Sequence, residues 1–226
     1  MREHDDYALM PLLFGLTLVS GLADAVSFLT LGQVFVANMT GNVVLLGFAI
    51  GGAKNISIIG SVTAIAAFML GGVVGGILSR RHGESGPHLL SVTTFFKIFL
   101  MLGAAALVWR FTTAGGIAYA IDAVLALSMG VQNAVVRTLG VPDITTTVIT
   151  QTLTGIAMDS TPAGGNNIRL GRRVTSVVVM FAGALIGALL IFRAGVPAAL
   201  IAAAVILAIV SAWAWRLRPR AAQPQP

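Results

Sequence analysis

Long apolar runs separated by brief polar or glycine-rich breaks dominate the chain, at about 9–31, 34–50, 56–79, 89–109, 115–139, 144–158, 174–192 and 196–215. A helix rises 1.5 Å per residue, so roughly 20 residues cross a hydrocarbon core of about 30 Å, and six of these runs approach or exceed that length. They are apolar all round, whereas a helix on a soluble domain needs a polar face. The pattern predicts an all-α transmembrane fold, a helical bundle of six full spans. The remaining two runs differ. Asn38, Thr40, Gly41 and Asn42 interrupt 34–50, and 144–158 (ITTTVITQTLTGIAM) is shorter and rich in Thr. Both are expected to form short, polar, broken or re-entrant helices, because backbone groups freed in a membrane need polar partners. Gly51-Gly52, Gly83 to Pro87, Gly115-Gly116, Gly140 to Pro142 and Pro162 to Asn167 mark the breaks.

Sliding the chain along itself by about half its length brings out an internal similarity. GLADAV at 21–26 lines up with GVQNAV at 130–135, and Thr40-Gly-Asn with Thr150-Gln-Thr. Gly72 and Gly76 line up with Gly183 and Gly187. The expected organisation is one membrane domain over 1–218, built of two pseudo-symmetric repeats at about 9–110 and 115–216, with a disordered cytoplasmic tail over 219–226. Three spans per repeat is an odd number, so the repeats are expected to be inverted, a transporter plan with the site at their interface. Eight crossings would make them parallel.

Composition and charge narrow the class. Hydrophobic residues make up 57% of the chain and charged residues 10%, which excludes an ordinary soluble domain. The net charge of +6 would suggest nucleic acid if it formed a basic face with interleaved aromatics, and it does not. Arg80, Arg81, Arg137, Arg169, Arg172, Arg173, Arg216, Arg218 and Arg220 fall on one side of a six-span topology and Lys54, Arg110 and Arg193 on the other. That is the positive-inside pattern of a bacterial plasma (inner) membrane protein with cytoplasmic termini. The N-terminal MREHDDYA lacks a clean basic region and reads as a retained start rather than a signal peptide. There is no Cys, and His4, His82 and His88 all lie in polar flanks, so no metal site or cofactor is expected.

Three ionisable residues lie within spans: Asp24, Lys97 and Asp122. An acid at a helix centre costs about 2.5–3.5 kcal/mol on insertion scales, so each must face protein or water. Asp24 reads either as a group that titrates or binds a cation during transport, or as half of a static ion pair with Lys97. Asp122, a couple of turns from its segment's start, reads as structural, and Lys97 and Asp122 together as coupling or charge-balancing residues. Asn38 and Asn42 are four apart and would share a helical face beside Thr40 and Gly41. The candidate substrate-binding set is Asp24, Asn38, Thr40 and Asn42, faced by Asn133 and Thr150 from the other half. Thr145, Thr146, Thr147 and Thr154 read as hydroxyls bonded back to their own helix. Gly71, Gly72, Gly75, Gly76, Gly183 and Gly187 form small-xxx-small pairs that let backbones approach.

At DAVSFL (24–29), VFVANMTGN (34–42) and MGVQNA (129–134) the chain resembles the YoaK-like bacterial membrane proteins, a domain-of-unknown-function family. The resemblance covers most of the chain and implies about six spans with no assigned activity. Gln151 departs from it, standing where a pair like Thr40-Gly41 would be looked for. The residues themselves support a small-solute transporter or permease in the lipid bilayer, with an unidentified solute, no nucleic acid, and a homo-oligomer as an open option. A membrane enzyme acting on lipid or quinone, and a non-transporting assembly or sensor protein, are the alternatives. An enzyme is the weaker of these, since only Arg172, Arg173, Asp159 and the His82–His88 loop could serve it.

Overall fold

The structure is a computed structural model that describes residues 3–82, 85–111, 115–141 and 149–217, with side chains from Ala8 onward. The expectations placed on Thr145, Thr146, Thr147, Arg218, Arg220 and the 219–226 tail lie outside the described residues. Within them the regular elements are all helical: α1 (Glu3–Thr30), α2 (Met39–Ile50), α3 (Ile58–His82), α4 (Gly86–Arg110), α5 (Gly116–Leu139), α6 (Ile149–Met158), a 3-10 turn (Thr161–Ala163), α7 (Leu170–Ala194) and α8 (Val196–Arg216). All but α2 and α6 are long and apolar enough to cross a membrane. α2, at 12 residues, and the described part of α6, at 10, rise only about 18 and 15 Å and reach about halfway.

Local chemistry sets several boundaries. Pro87 and Pro197 stand in the first turns of α4 and α8, where a missing N–H costs nothing. α2 starts at Met39 because the Asn38 side chain accepts a hydrogen bond from the Gly41 N–H and caps the helix. Val34–Ala37, expected within that helix, instead runs as irregular chain after a turn at Gln33 (φ 52°).

The bundle is held by two close crossings. α1 runs alongside α7, where Gly21 meets Met180 and Ala184, and Gly183 and Gly187 meet Leu18 and Leu22. α3 runs alongside α5, where Gly71 and Gly75 meet Leu127 and Val131, and Gly130 meets Phe68 and Gly72. A Cβ added to Gly130 would strike the Phe68 carbonyl, so these backbones touch directly, the small-residue mode of membrane packing. The sequence offers two overlapping pairs here, Gly71 with Gly75 and Gly72 with Gly76. Gly71 and Gly75 make the contacts, while Gly72 and Gly76 present open space on their Cβ sides. One helical residue is a 100° rotation, and GGVVGG offers two glycine faces between which spacing cannot choose.

α4 packs along α8, and contacts of α1 with α8 and of α4 with α5 complete the ring. α1 and α5 are innermost, with 67% and 61% of their spans buried against 17% for α7. Arg80, Arg81, Arg137, Arg169, Arg172, Arg173 and Arg216 gather at the end of the bundle where α3, α5 and α8 finish and α7 begins. Lys54, Arg110 and Arg193 lie at the other end.

Candidate functional site

The loop between α1 and α2 folds back along α1, and buried side chains hold it at three places. Asp24, one turn and a half before the end of α1, accepts the Val36 and Ala37 N–H groups on a single oxygen, Oδ1, at 2.9 and 2.8 Å. Asn42, fully buried in the first turn of α2, brackets Phe35. Its Oδ1 accepts the Phe35 N–H at 2.8 Å and its Nδ2 donates to the Phe35 carbonyl at 2.5 Å. Asp122 reaches across from α5. Its Oδ2 accepts the Gly32 N–H at 3.1 Å, and Ser27 Oγ sits between Asp122 Oδ1 (2.6 Å) and the Val34 carbonyl (2.7 Å), donating to one at a time. Irregular backbone at membrane depth is tolerated where protein satisfies its polar groups, and these three residues do so. Phe35 stacks on Phe28 with ring centroids 4.8 Å apart.

Held this way, the loop forms one wall of a cavity of about 600 Å3. α1 contributes Gly21 and Asp24, the loop Phe35 and Asn38, and α2 Thr40, Gly41, Val44 and Leu45. Ile149 and Thr150 of α6, with Met180 and Ala184 of α7, close the opposite side. Met180 and Ala184 flank the middle of α7, so the cavity lies near the midpoint of the spans. α2 begins here, the first described residues of α6 lie here, and the two helices leave in opposite directions. α2 runs toward the end where α1 finishes. α6 runs toward the basic end, where Arg173 donates to the Gly155 carbonyl at 2.7 Å and pairs with Asp159 at 2.5 Å. Asp24 is the sole ionisable residue lining the cavity, and its Oδ2 has no partner among the described residues.

The structure therefore brings Asp24, Asn38, Thr40 and Thr150 to one cavity. Asn42 is not there. It does not share a helical face with Asn38, because the helix starts after Asn38, and its amide is turned inward onto Phe35. Asn133 is not there either; its Nδ2 donates to the Met129 carbonyl on its own helix at 3.0 Å. Lys97 does not neutralise Asp24 or Asp122. It is completely buried near the middle of α4, where its Nζ donates to Gln132 Oε1 and lies 3.9 Å from the Met129 sulfur, and it forms an ion pair with neither acid. Gln132 Nε2 continues the network to Ser20 Oγ at 2.9 Å.

Ser20, Ser27 and Gln132 are polar residues that the sequence reading passed over. A signal was present: Thr17, Ser20, Asp24 and Ser27 repeat at steps of three, four and three, which draws one polar stripe down a helix face. All four are buried. A smaller cavity of about 370 Å3, lined by Gly32, Gln33, Asn55, Ser57 and Tyr119, opens at the end where α1 finishes. There Ser57 and Tyr119 are hydrogen-bonded at 2.8 Å.

Comparison with known proteins gives a family without an activity. The family described as "Protein of unknown function (DUF1275)" matches residues 12–213. The transmembrane protein YoaK of Bacillus subtilis (strain 168), of group UPF0700, is 32% identical over 145 residues, which cover 64% of this chain and 64% of the relative, under two thirds of its length. No solved structure matches.

Proposed function

Because the chain belongs to the DUF1275 family of multi-pass membrane proteins, whose description names no reaction, we propose its function from the cavity: a small-solute transporter or permease of the bacterial plasma membrane. One observation carries this reading. Two short helices, one from each half of the chain, meet the same mid-depth cavity with the first of their described residues and run to opposite ends of the bundle. Broken helices meeting at the midplane are how many transporters place a solute site, since they bring backbone and polar side chains to a depth that continuous helices seal.

The packing supports two inverted three-span repeats. α1 on α7 has its counterpart in α5 on α3, and α2 on α3 in α6 on α7. Gly21 and Gly130 stand at equivalent points of the two crossings, as do Gly183 with Gly71 and Gly187 with Gly75. In this reading the two crossings are surfaces along which one half rocks against the other. Asp24, Asn38, Thr40 and Thr150 contact the solute, Asn42 and Asp122 hold the loop, and Lys97 with Gln132 and Ser20 is the group available for coupling. The basic end is cytoplasmic by the positive-inside rule. The glycines that a partner-binding protein would have used are largely taken up by the chain's own crossings, which weighs against the assembly reading.

Topology is the test. Single Cys residues at Lys54, Arg81, Arg137 and Asn166 are labelled in intact cells with a membrane-impermeant maleimide. Position 54 should react from outside, and 81, 137 and 166 only after the membrane is opened. Labelling of 81 from outside would mean a different number of crossings and would remove the inverted repeat.

A further inference from the structure

We infer that the solute is an amphipathic organic monocation, held with its cationic group against Asp24 and its apolar body against the cavity wall. The inference rests on the transporter reading and adds to it the substrate class.

Charge comes first. Asp24 is 7% exposed, and among the described residues no Lys, Arg or His lines the cavity with it. Its Oδ1 is taken by the Val36 and Ala37 N–H groups, which fixes the carboxylate, and its Oδ2 has no partner among the described residues, with the residue lining the cavity. A carboxylate in an apolar setting is costly without a compensating charge, and Lys97, the one buried cation of the described bundle, bonds to Gln132 instead. A cationic solute supplies that partner when bound, as a proton does when the site is empty. An anion would meet the carboxylate's repulsion, and a neutral solute would gain no charge pairing from it.

The walls give the rest of the molecule. Phe35, Leu45, Ile149 and Met180 surround Asp24 with apolar surface, and Phe35 adds an aromatic ring of the kind that attracts organic cations. Asn38, Thr40 and Thr150 offer oxygens to any further N–H of the solute. A volume of about 600 Å3 lies within the ordinary range for sites that take organic molecules, and is far larger than a bare metal ion requires. Thr40 and Val44 are exposed at the cavity's edge, on the outer surface of the bundle.

The test is equilibrium binding to the full chain in lipid nanodiscs, using radiolabelled phenethylammonium and tetraphenylphosphonium. Their competitors are 2-phenylethanol and 3-phenylpropionate, a neutral and an anionic molecule of similar size. Saturable cation binding at least tenfold tighter than either competitor is expected. Asp24→Asn should weaken it at least tenfold while its amide oxygen still accepts the Val36 and Ala37 N–H groups, and Leu45→Trp, which fills the cavity, should do the same. If Asp24→Asn loses its fold, Leu45→Trp decides alone. Tighter binding of the alcohol or the carboxylate, no binding of either cation, or cation binding that survives the substitutions would overturn the inference. Thiol accessibility at Thr40→Cys and Thr150→Cys separates the two failures. If those thiols are reached from both sides of the membrane while the cations do not bind, only the substrate class is wrong. If they are reached from neither side, the transporter reading itself falls.

Discussion

Asp24 and Asp122 are both buried, and both accept backbone N–H groups of the same loop, yet their surroundings differ at one atom. Asp122 has both oxygens held within the protein, Oδ1 near Ser27 and Oδ2 with Gly32, and is fully buried, so a solute has no access to it. Asp24 takes two N–H groups on Oδ1 alone and lines a cavity. The sequence marks both as acids in apolar runs and cannot separate them. What separates a structural carboxylate from one available for chemistry is whether the packing leaves it a path to a cavity, and that is a matter of which distant backbone arrives.

Removing Asp122 should break the comparison most visibly. Asp122→Ala leaves the Gly32 N–H without its partner, at about 1–3 kcal/mol, and opens a cavity at a fully buried site, while Ser27 keeps the Val34 carbonyl, so a loss of about 2–4 kcal/mol is expected as a lowered unfolding midpoint in detergent. Asn42→Ala, which frees the Phe35 backbone, should follow with a loss of about 1–3 kcal/mol by the same measurement. Asp24→Asn should cost less than about 1 kcal/mol, because an amide oxygen can take over both N–H bonds. The smallest shift is expected for Lys97→Met. It removes a buried ammonium that has no carboxylate partner and orphans one amide oxygen, so the two effects offset to within about 1 kcal/mol.

Much of the architecture was legible because membrane spans are written in run length. The expected 115–139 and 196–215 agree with α5 and α8 to within a residue, and the polar interruptions at Asn38–Asn42 and Thr150 do mark short helices. The site was legible in part. Asp24, Asn38, Thr40 and Thr150 stand out as polar groups where the pattern calls for apolar ones, and they share the cavity. Asn42 stands out equally, but its direction depends on the one-residue difference between Asn38 as a cap and Asn38 as part of the helix. The partners of Asp122 and Lys97 are Gly32, 90 residues away, and Gln132, 35 residues away, and no local pattern selects them. The choice of Gly71 over Gly72 at the α3–α5 crossing was hidden for a different reason, since two adjacent glycines read alike until a facing helix picks one.

The most direct test of a mid-depth cavity served from opposite ends is thiol accessibility where its two short helices meet it. Single Cys residues at Thr40 and Thr150, introduced into a chain that has none of its own, are exposed in oriented membranes to an impermeant maleimide added from one side and then the other. A transporter cavity predicts that both positions react, each from both sides, as the halves rock. If neither position reacts from either side, while Lys54→Cys in the same membranes does, the cavity is closed to water and the transport account is contradicted.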